Sequence, residues 1–325
     1  MASKIINNSN IFDNKIIGNL LIKNFGKISK DWVFHQWNYL NKNYDAFNDL
    51  TKYFIVISLV RNTLKFFHEN GIKYNYNDFY SDPQLEIPNF KITELAKEFD
   101  IPIETARRKI DELEKLGFII KNKKKIILDR SVYKLIKPRN QIRITSKYIS
   151  KVTDLMKKNN LLNSSIDEIK INEIIQDNFS ITWLWFYQLQ IPIHISWKKK
   201  VFGDFNSFYV WGTCGLNEIY NNKKLPNASI SENGLDDYMM NILDAGGSGL
   251  NAMSISEMTK IPRATVMRKL NKLKKDKIIK SDSLKQYYVS NLTPLKITPI
   301  IQQHFAMKSV FITKIINLLI LNNLN

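Results

Sequence analysis

Ile261-Pro-Arg-Ala-Thr-Val-Met-Arg-Lys-Leu270 has an earlier near-copy in Ile101-Pro-Ile-Glu-Thr-Ala-Arg-Arg-Lys-Ile110. Ile, Pro, Thr, Arg and Lys recur at the same relative positions with an offset of 160 in a chain of 325 residues. Proline disfavours the helical conformation in the residue before it and suits the first turn of a helix. Each stretch therefore predicts a sharp turn followed by a helix. Ala106, Ile110, Leu113 and Leu116 fall on one face of the first helix, and Val266, Leu270 and Leu273 on one face of the second. Thr105, Arg107, Arg108 and Asp111 in one, and Arg263, Thr265, Met267, Arg268, Asn271 and Lys272 in the other, are left outward.

Working outward from the first copy, Thr93 is expected to cap a short helix, Glu94 to Phe99, by accepting from the free amides of its first turn. Asp100-Ile101-Pro102 makes the turn, and the second helix runs from about Ile103 to Leu116. Gly117 suits the left-handed position that ends a helix. Phe118-Ile-Ile, Lys121-Asn-Lys-Lys-Lys125 and Ile126-Ile-Leu128 then predict strand, basic turn, strand. Helix, turn, helix and two-stranded ribbon together make a winged helix, over about 91–130. A second one is expected over about 251–290. There Ser256, Glu257 and Met258 are set against Thr93, Glu94 and Leu95, which shortens the intervening helix by three residues. Its wing is Ile278-Ile-Lys280, Ser281-Asp-Ser283 and Lys285 to Val289. Lys277 stands where Gly117 stood, so the second helix is expected to end by another device, through Asp276.

The repeat reaches beyond these motifs. Ser150 to Asn160 aligns without gaps onto Thr313 to Asn323, and Leu20 to Phe25 is echoed by Ile174 to Phe179. Between Gly26 and Phe90 no register against the second half is evident. The expected fold is mainly α with small β-wings: a tandem winged helix-turn-helix, internally duplicated as a pseudodimer. Residues 1–162 supply a helical lead-in, the first winged helix and a closing helix, and residues 163–325 repeat that order. Gly71 to Phe90, with Asp82-Pro83 and Ile87-Pro88, predicts an irregular connection.

The net charge of +18 points towards a polyanionic partner, although the wealth of Ile, Asn and Lys reflects a compositional bias that dilutes the signal. Location is more telling. Residues 260–285 hold ten basic and two acidic side chains. Arg107, Arg108, Arg263 and Arg268 suit bidentate bonds to guanine edges, and Thr105 and Thr265 suit phosphate or thymine-methyl contacts. Lys121, Lys123, Lys124 and Lys125, with Lys272, Lys280 and Lys285, suit phosphate neutralisation. The first recognition helix carries Glu104, Asp111, Glu112 and Glu114 where the second has Ala264, Asn271, Lys272 and Lys274. The second unit is thus expected to anchor the complex with duplex DNA.

On the Ile-Pro-Arg-Ala-Thr-Val stretch and its flanks, Ile92 to Leu128 and Ile255 to Val289, the chain resembles the MarR-type winged-helix transcriptional regulators, with two protomers fused. The resemblance implies recognition helices in successive major grooves, wings on the backbone, and transcriptional control. The alternatives are a tandem winged-helix replication initiator and a chromosome-associated or protein-interaction scaffold.

An enzyme is not expected. His35, His68, His194 and His304 are scattered without metal-ligand spacing, and Gly246-Gly-Ser-Gly249 lacks the Lys-Ser/Thr of a phosphate loop. No metal or cofactor is expected. Cys214, the single cysteine, excludes a disulfide framework and predicts a small buried side chain in a reducing, cytoplasmic setting. The start lacks a signal peptide's apolar core, and Tyr53 to Val60 and Val310 to Leu321 are short or carry Lys, so no membrane span is expected. The aromatics Trp32, Phe34, Trp37 and Tyr39, and Trp183, Trp185, Phe186, Tyr187 and Trp197, predict helix-helix core. Their alternative role is lining a pocket for a small apolar or aromatic effector.

Overall fold

A computed structural model describes residues 12–87, 90–122, 125–131, 137–221, 248–290 and 293–323. The described residues are mainly helical, with two small antiparallel sheets. Asp13 starts α1 (Asn14–Lys23) by accepting the Lys15 amide at 2.6 Å, and α2 (Phe25–Phe47) follows after a single residue. Asp49 caps α3 (Leu50–Glu69) through the Thr51 and Lys52 amides. The segment expected to be irregular instead forms α4 (Tyr76–Ser81) and strand β1 (Gln84–Ile87). Asn75 caps that short helix, and β1 gains order from its partner strand rather than from its own polar sequence.

The first unit comprises α5 (Ile92–Phe99), α6 (Ile103–Lys115), β2 (Ile119–Asn122) and β3 (Lys125–Asp129). Its sheet has three strands in the order β1-β3-β2, where the sequence predicts two. Thr93 is not the cap: the helix begins at Ile92, and Lys91 precedes it without a side-chain cap bond. Leu116 does not join Ala106, Ile110 and Leu113 in the core, because it is the C-cap and half exposed.

α7 (Arg139–Lys158) closes the first half. The second opens with α8 (Glu168–Asp177) and α9 (Phe179–Trp197), which is apolar on all sides and runs into a π-helical turn, Lys198–Phe202. Next come α10 (Phe205–Asn221), α11 (Ala252–Thr259), α12 (Arg263–Lys275), β4 (Ile279–Ser281), β5 (Tyr287–Val289) and α13 (Thr293–Asn323). α5 and α11 both span eight residues at an offset of 160, so the expected shortening is absent. Among the described residues, a third strand is present here only as one bridge, Leu250 to Tyr287.

Lys277 does not end α12 by another device. It adopts the left-handed conformation of Gly117, with φ of 57° against 78°. The terminating bonds also match: Phe118 N–H to Leu113 C=O and Ile278 N–H to Leu273 C=O are both 2.9 Å. A side chain in this region costs about 1–2 kcal/mol.

Packing across the two halves is reciprocal. α1 runs along α13 and α8 along α7; α3 crosses α9 and α10 crosses α2; α2 carries α7 and α9 carries α13. Asn24 and Asn178 make the same bond, Nδ2 to the carbonyl four residues back, at 3.0 and 3.1 Å. That fixes the offset at 154 before α2 and α9. After them, left-handed Asn48 and Gly203 precede Asp49 and Asp204 at an offset of 155. The extra residue lies between these points, in the stretch that holds the π-helical turn. A π turn is the way a helix absorbs one inserted residue without shifting its ends.

α13 includes Ile297–Asn322, which is long and apolar enough to cross a membrane; 56% of its most apolar window is buried within the protein, and the helix packs on α1, α8 and α9.

Candidate nucleic-acid interface

Both units present the face opposite their buried residues. Arg107 and Arg108 on α6, and Arg263 and Arg268 on α12, are exposed, with Thr105 and Thr265 half-buried in the first turns. Lys121 on β2, Lys125 on β3, Lys280 on β4 and Lys285 in the β4–β5 turn are exposed as well. Lys123 and Lys124 lie outside the described residues.

The two faces differ in what surrounds their cations. Arg107 pairs with Glu104, and Arg108 Nε lies 3.9 Å from Glu112. Lys121 Nζ meets Asp111 at 2.5 Å and Glu114 at 2.8 Å, and hydrogen bonds to these carboxylates raise its pKa. Lys125 reaches Glu86 of β1 at 2.8 Å. In the second unit, among the described residues, no carboxylate lies within 4.0 Å of Arg263, Arg268 or Lys285. Lys272 is exposed too, but it is not free: its Nζ donates to the Phe202 carbonyl at 2.7 Å and lies 3.7 Å from Asp204.

Two lysines that the sequence reading passed over hold these helices in place. Lys109 Nζ lies 2.7 Å from Asp49, and Lys269 Nζ lies 2.8 Å from Asp204. Asp49 is the cap of α3, and Asp204 accepts the Ser207 amide at the start of α10. One carboxylate in each half thus starts a core helix and ties down α6 or α12. Burial pushes the Asp204 carboxyl up, but the bonds from Lys269 and Ser207 outweigh it and hold it below its usual range. The signal for this pair was available, since Lys recurs at the same position of both near-copies.

Each unit is also held by the opposite half. Lys198, in the π turn, donates to the Phe99 and Asp100 carbonyls at the end of α5, at 2.5 and 3.0 Å. Asn41 of α2 donates to Met258 C=O on α11 at 2.5 Å. The tilt of each unit is therefore set by contacts from both halves.

The histidines do not converge. His35, His194 and His304 are buried, and burial holds all three well below the usual imidazole range. Among the described residues no three His, Cys, Asp or Glu side chains gather as a metal site. Cys214 is buried, and burial pushes its thiol up to about 12, which leaves little thiolate at neutral pH.

The aromatic groups divide between core and cavity. Trp183 and Phe186 stack at 4.4 Å in the core. Trp32, Trp37 and Trp197 line a cavity of about 160 Å³ between α2, α9, α10 and α13, while Trp183 and Tyr187 border a smaller one of about 80 Å³.

Comparison of the chain with family models, curated proteins and solved structures gives no match.

Proposed function

We propose that the chain binds duplex DNA sequence-specifically as a fused pseudodimer of two winged-helix units, in the manner of the MarR-type transcriptional regulators it resembles, and acts in transcriptional control. The observation that carries this reading is the exposed Arg263 and Arg268, with no carboxylate within 4.0 Å among the described residues, on a helix pinned to the core by Lys269 and Asp204. A guanidinium held on a fixed helix, with no internal acid to satisfy it, suits recognition of phosphates or guanine edges. The reciprocal packing of α1 on α13 and α8 on α7, with α5 and α11 of equal length at an offset of 160, supports a two-fold arrangement. The acid-paired cations of α6 and its wing make the first unit the weaker contact.

Selecting binding sites from random duplexes with the full chain tests the proposal. The expected product is an imperfect inverted repeat whose protected footprint covers about two helical turns, bound with an affinity that falls steeply with salt. Directly repeated half-sites would favour a replication initiator instead. Failure to enrich any sequence, with no salt dependence, would refute DNA binding.

A further inference from the structure

The two cavities occupy matched places in the two halves. With the offset of 154 set by Asn24 and Asn178, Trp183 and Tyr187 border the small cavity where Ser29 and Val33 border the large one. With the offset of 155 set by Asp49 and Asp204, Ile57 and Val60 border the small cavity where Gly212 and Gly215 border the large one. At these four places the first cavity has the larger residue, whereas Trp211 and Trp197 of the second stand against the smaller Val56 and Asn43 of the first. The first space is left at about 80 Å³ and the second stays open at about 160 Å³. That is comparable with the ~150 Å³ apolar cavity known to admit benzene. A Cβ added at Gly212 would meet nothing within 4 Å. Glycine inside a helix costs roughly 0.5–1 kcal/mol against alanine, so local stability does not account for it.

The walls are mostly aromatic, but two ionisable groups face the space from different helices. Lys308 of α13 is 3% exposed, and its ammonium lies 4.6 Å over Trp32 and 4.3 Å over Phe305. Among the described residues no carboxylate lies within 4.0 Å of it. Glu218 of α10 is 8% exposed and accepts the Val289 amide at 2.5 Å. Burial pulls the lysine down to about 7 and pushes the glutamate up to about 7. In the same lining, His304 Nε2, Gln36 Oε1 and Trp211 Nε1 have no hydrogen-bond partner among the described residues.

A neutral apolar occupant would hydrogen-bond neither Lys308 nor Glu218, and a ligand with one charge would answer only one of the two. An onium group, weakly hydrated and ringed by methyls, is held by aromatic faces and a nearby carboxylate. A carboxylate in turn answers Lys308 and the Trp211 N–H. We propose that this cavity is a binding site for a compact onium carboxylate, a small zwitterion joining a quaternary ammonium group to a carboxylate. Lys308 and Trp211 receive the carboxylate, and Glu218 with the tryptophan walls receives the onium group. The site stands independently of DNA binding, and of the two matched cavities only the larger carries it.

Titration calorimetry of the full chain with trimethylglycine as probe tests the site, with choline and benzoate as single-charge controls. The expected result is saturable one-to-one binding of trimethylglycine, with choline and benzoate at least tenfold weaker. Lys308→Met and Gly212→Ile, the latter copying Ile57 of the smaller cavity, should each weaken binding at least tenfold while circular dichroism stays that of the parent. Absence of trimethylglycine binding, equal or tighter binding of either control, or unchanged affinity in a folded Lys308→Met or Gly212→Ile chain overturns the proposal.

Discussion

Arg268→Ala and Arg108→Ala occupy matched positions and should have unequal effects on DNA affinity. Arg268 is exposed, with no carboxylate within 4.0 Å among the described residues, so its full charge and both donor edges are available. Losing a bidentate guanine contact costs about 1–3 kcal/mol, roughly a 5- to 150-fold loss, and losing a phosphate contact lowers the salt slope by about 0.9. Arg108 lies 3.9 Å from Glu112, a carboxylate that also takes Lys109 at 2.9 Å and Lys52 at 3.7 Å. Glu104, Asp111 and Glu114 add three more acids to the same helix. Its cation is offset before DNA arrives, and Arg108→Ala should weaken binding by under about 1 kcal/mol. The double substitution Glu104→Ala with Asp111→Asn installs the residues of α12 on α6, releases Arg107 and should tighten binding. Fluorescence anisotropy on a selected duplex, at about 50 and about 200 mM salt, reads all three. Equal losses for Arg268→Ala and Arg108→Ala would show that internal ion pairing does not rank the two units.

Lys277→Gly should stabilise the chain by about 1 kcal/mol, while Gly117→Lys should destabilise it by a similar amount; thermal melting should move by roughly 1–2 °C in opposite directions. Asp204→Ala removes both the start of α10 and the anchor of Lys269, so hydrogen exchange should quicken in α12 and leave α6 unchanged, and Asp49→Ala should do the reverse. Because burial depresses the Lys308 ammonium to about 7, the folded chain binds fewer protons there than the unfolded chain between about pH 7 and the ordinary lysine range. Its destabilising effect is therefore full below pH 7 and fades as pH rises. Lys308→Met should melt higher than the parent at pH 6, with the gap closing towards pH 10. An equal gap at both pH values would show that the ammonium keeps its ordinary pKa.

The helices α6 and α12 were legible because a turn-forming proline and a 3.6-residue apolar rhythm act locally, and Val266, Leu270 and Leu273 are buried as that rhythm requires. β1 was not legible, since Gln84 to Ile87 is ordered by pairing with β3, some forty residues later. The register between Gly26 and Phe90 was hidden because α2 and α9 pack similarly while differing by one residue. The pattern of the second half slips within a single helix, a change that no gap-free alignment follows. Lys277 misled in the opposite direction: tertiary packing imposes the left-handed turn on a residue that disfavours it. Lys198 and Asn41 were invisible for a third reason, since each bonds to backbone carbonyls of the other half.

The matched interfaces α7–α8 and α1–α13 form on very different schedules. In the first, Ser150 Oγ donates to the Ile166 carbonyl across 16 residues of sequence. In the second, the Phe12 amide and carbonyl bond the Asn317 side chain across 305 residues. At about 0.6 kcal/mol per doubling of loop length, closing the longer loop costs roughly 2.5 kcal/mol more in chain entropy. The hairpin at the join can settle while synthesis continues. α1 must wait for α13, and until then its apolar stripe needs shielding from other nascent chains.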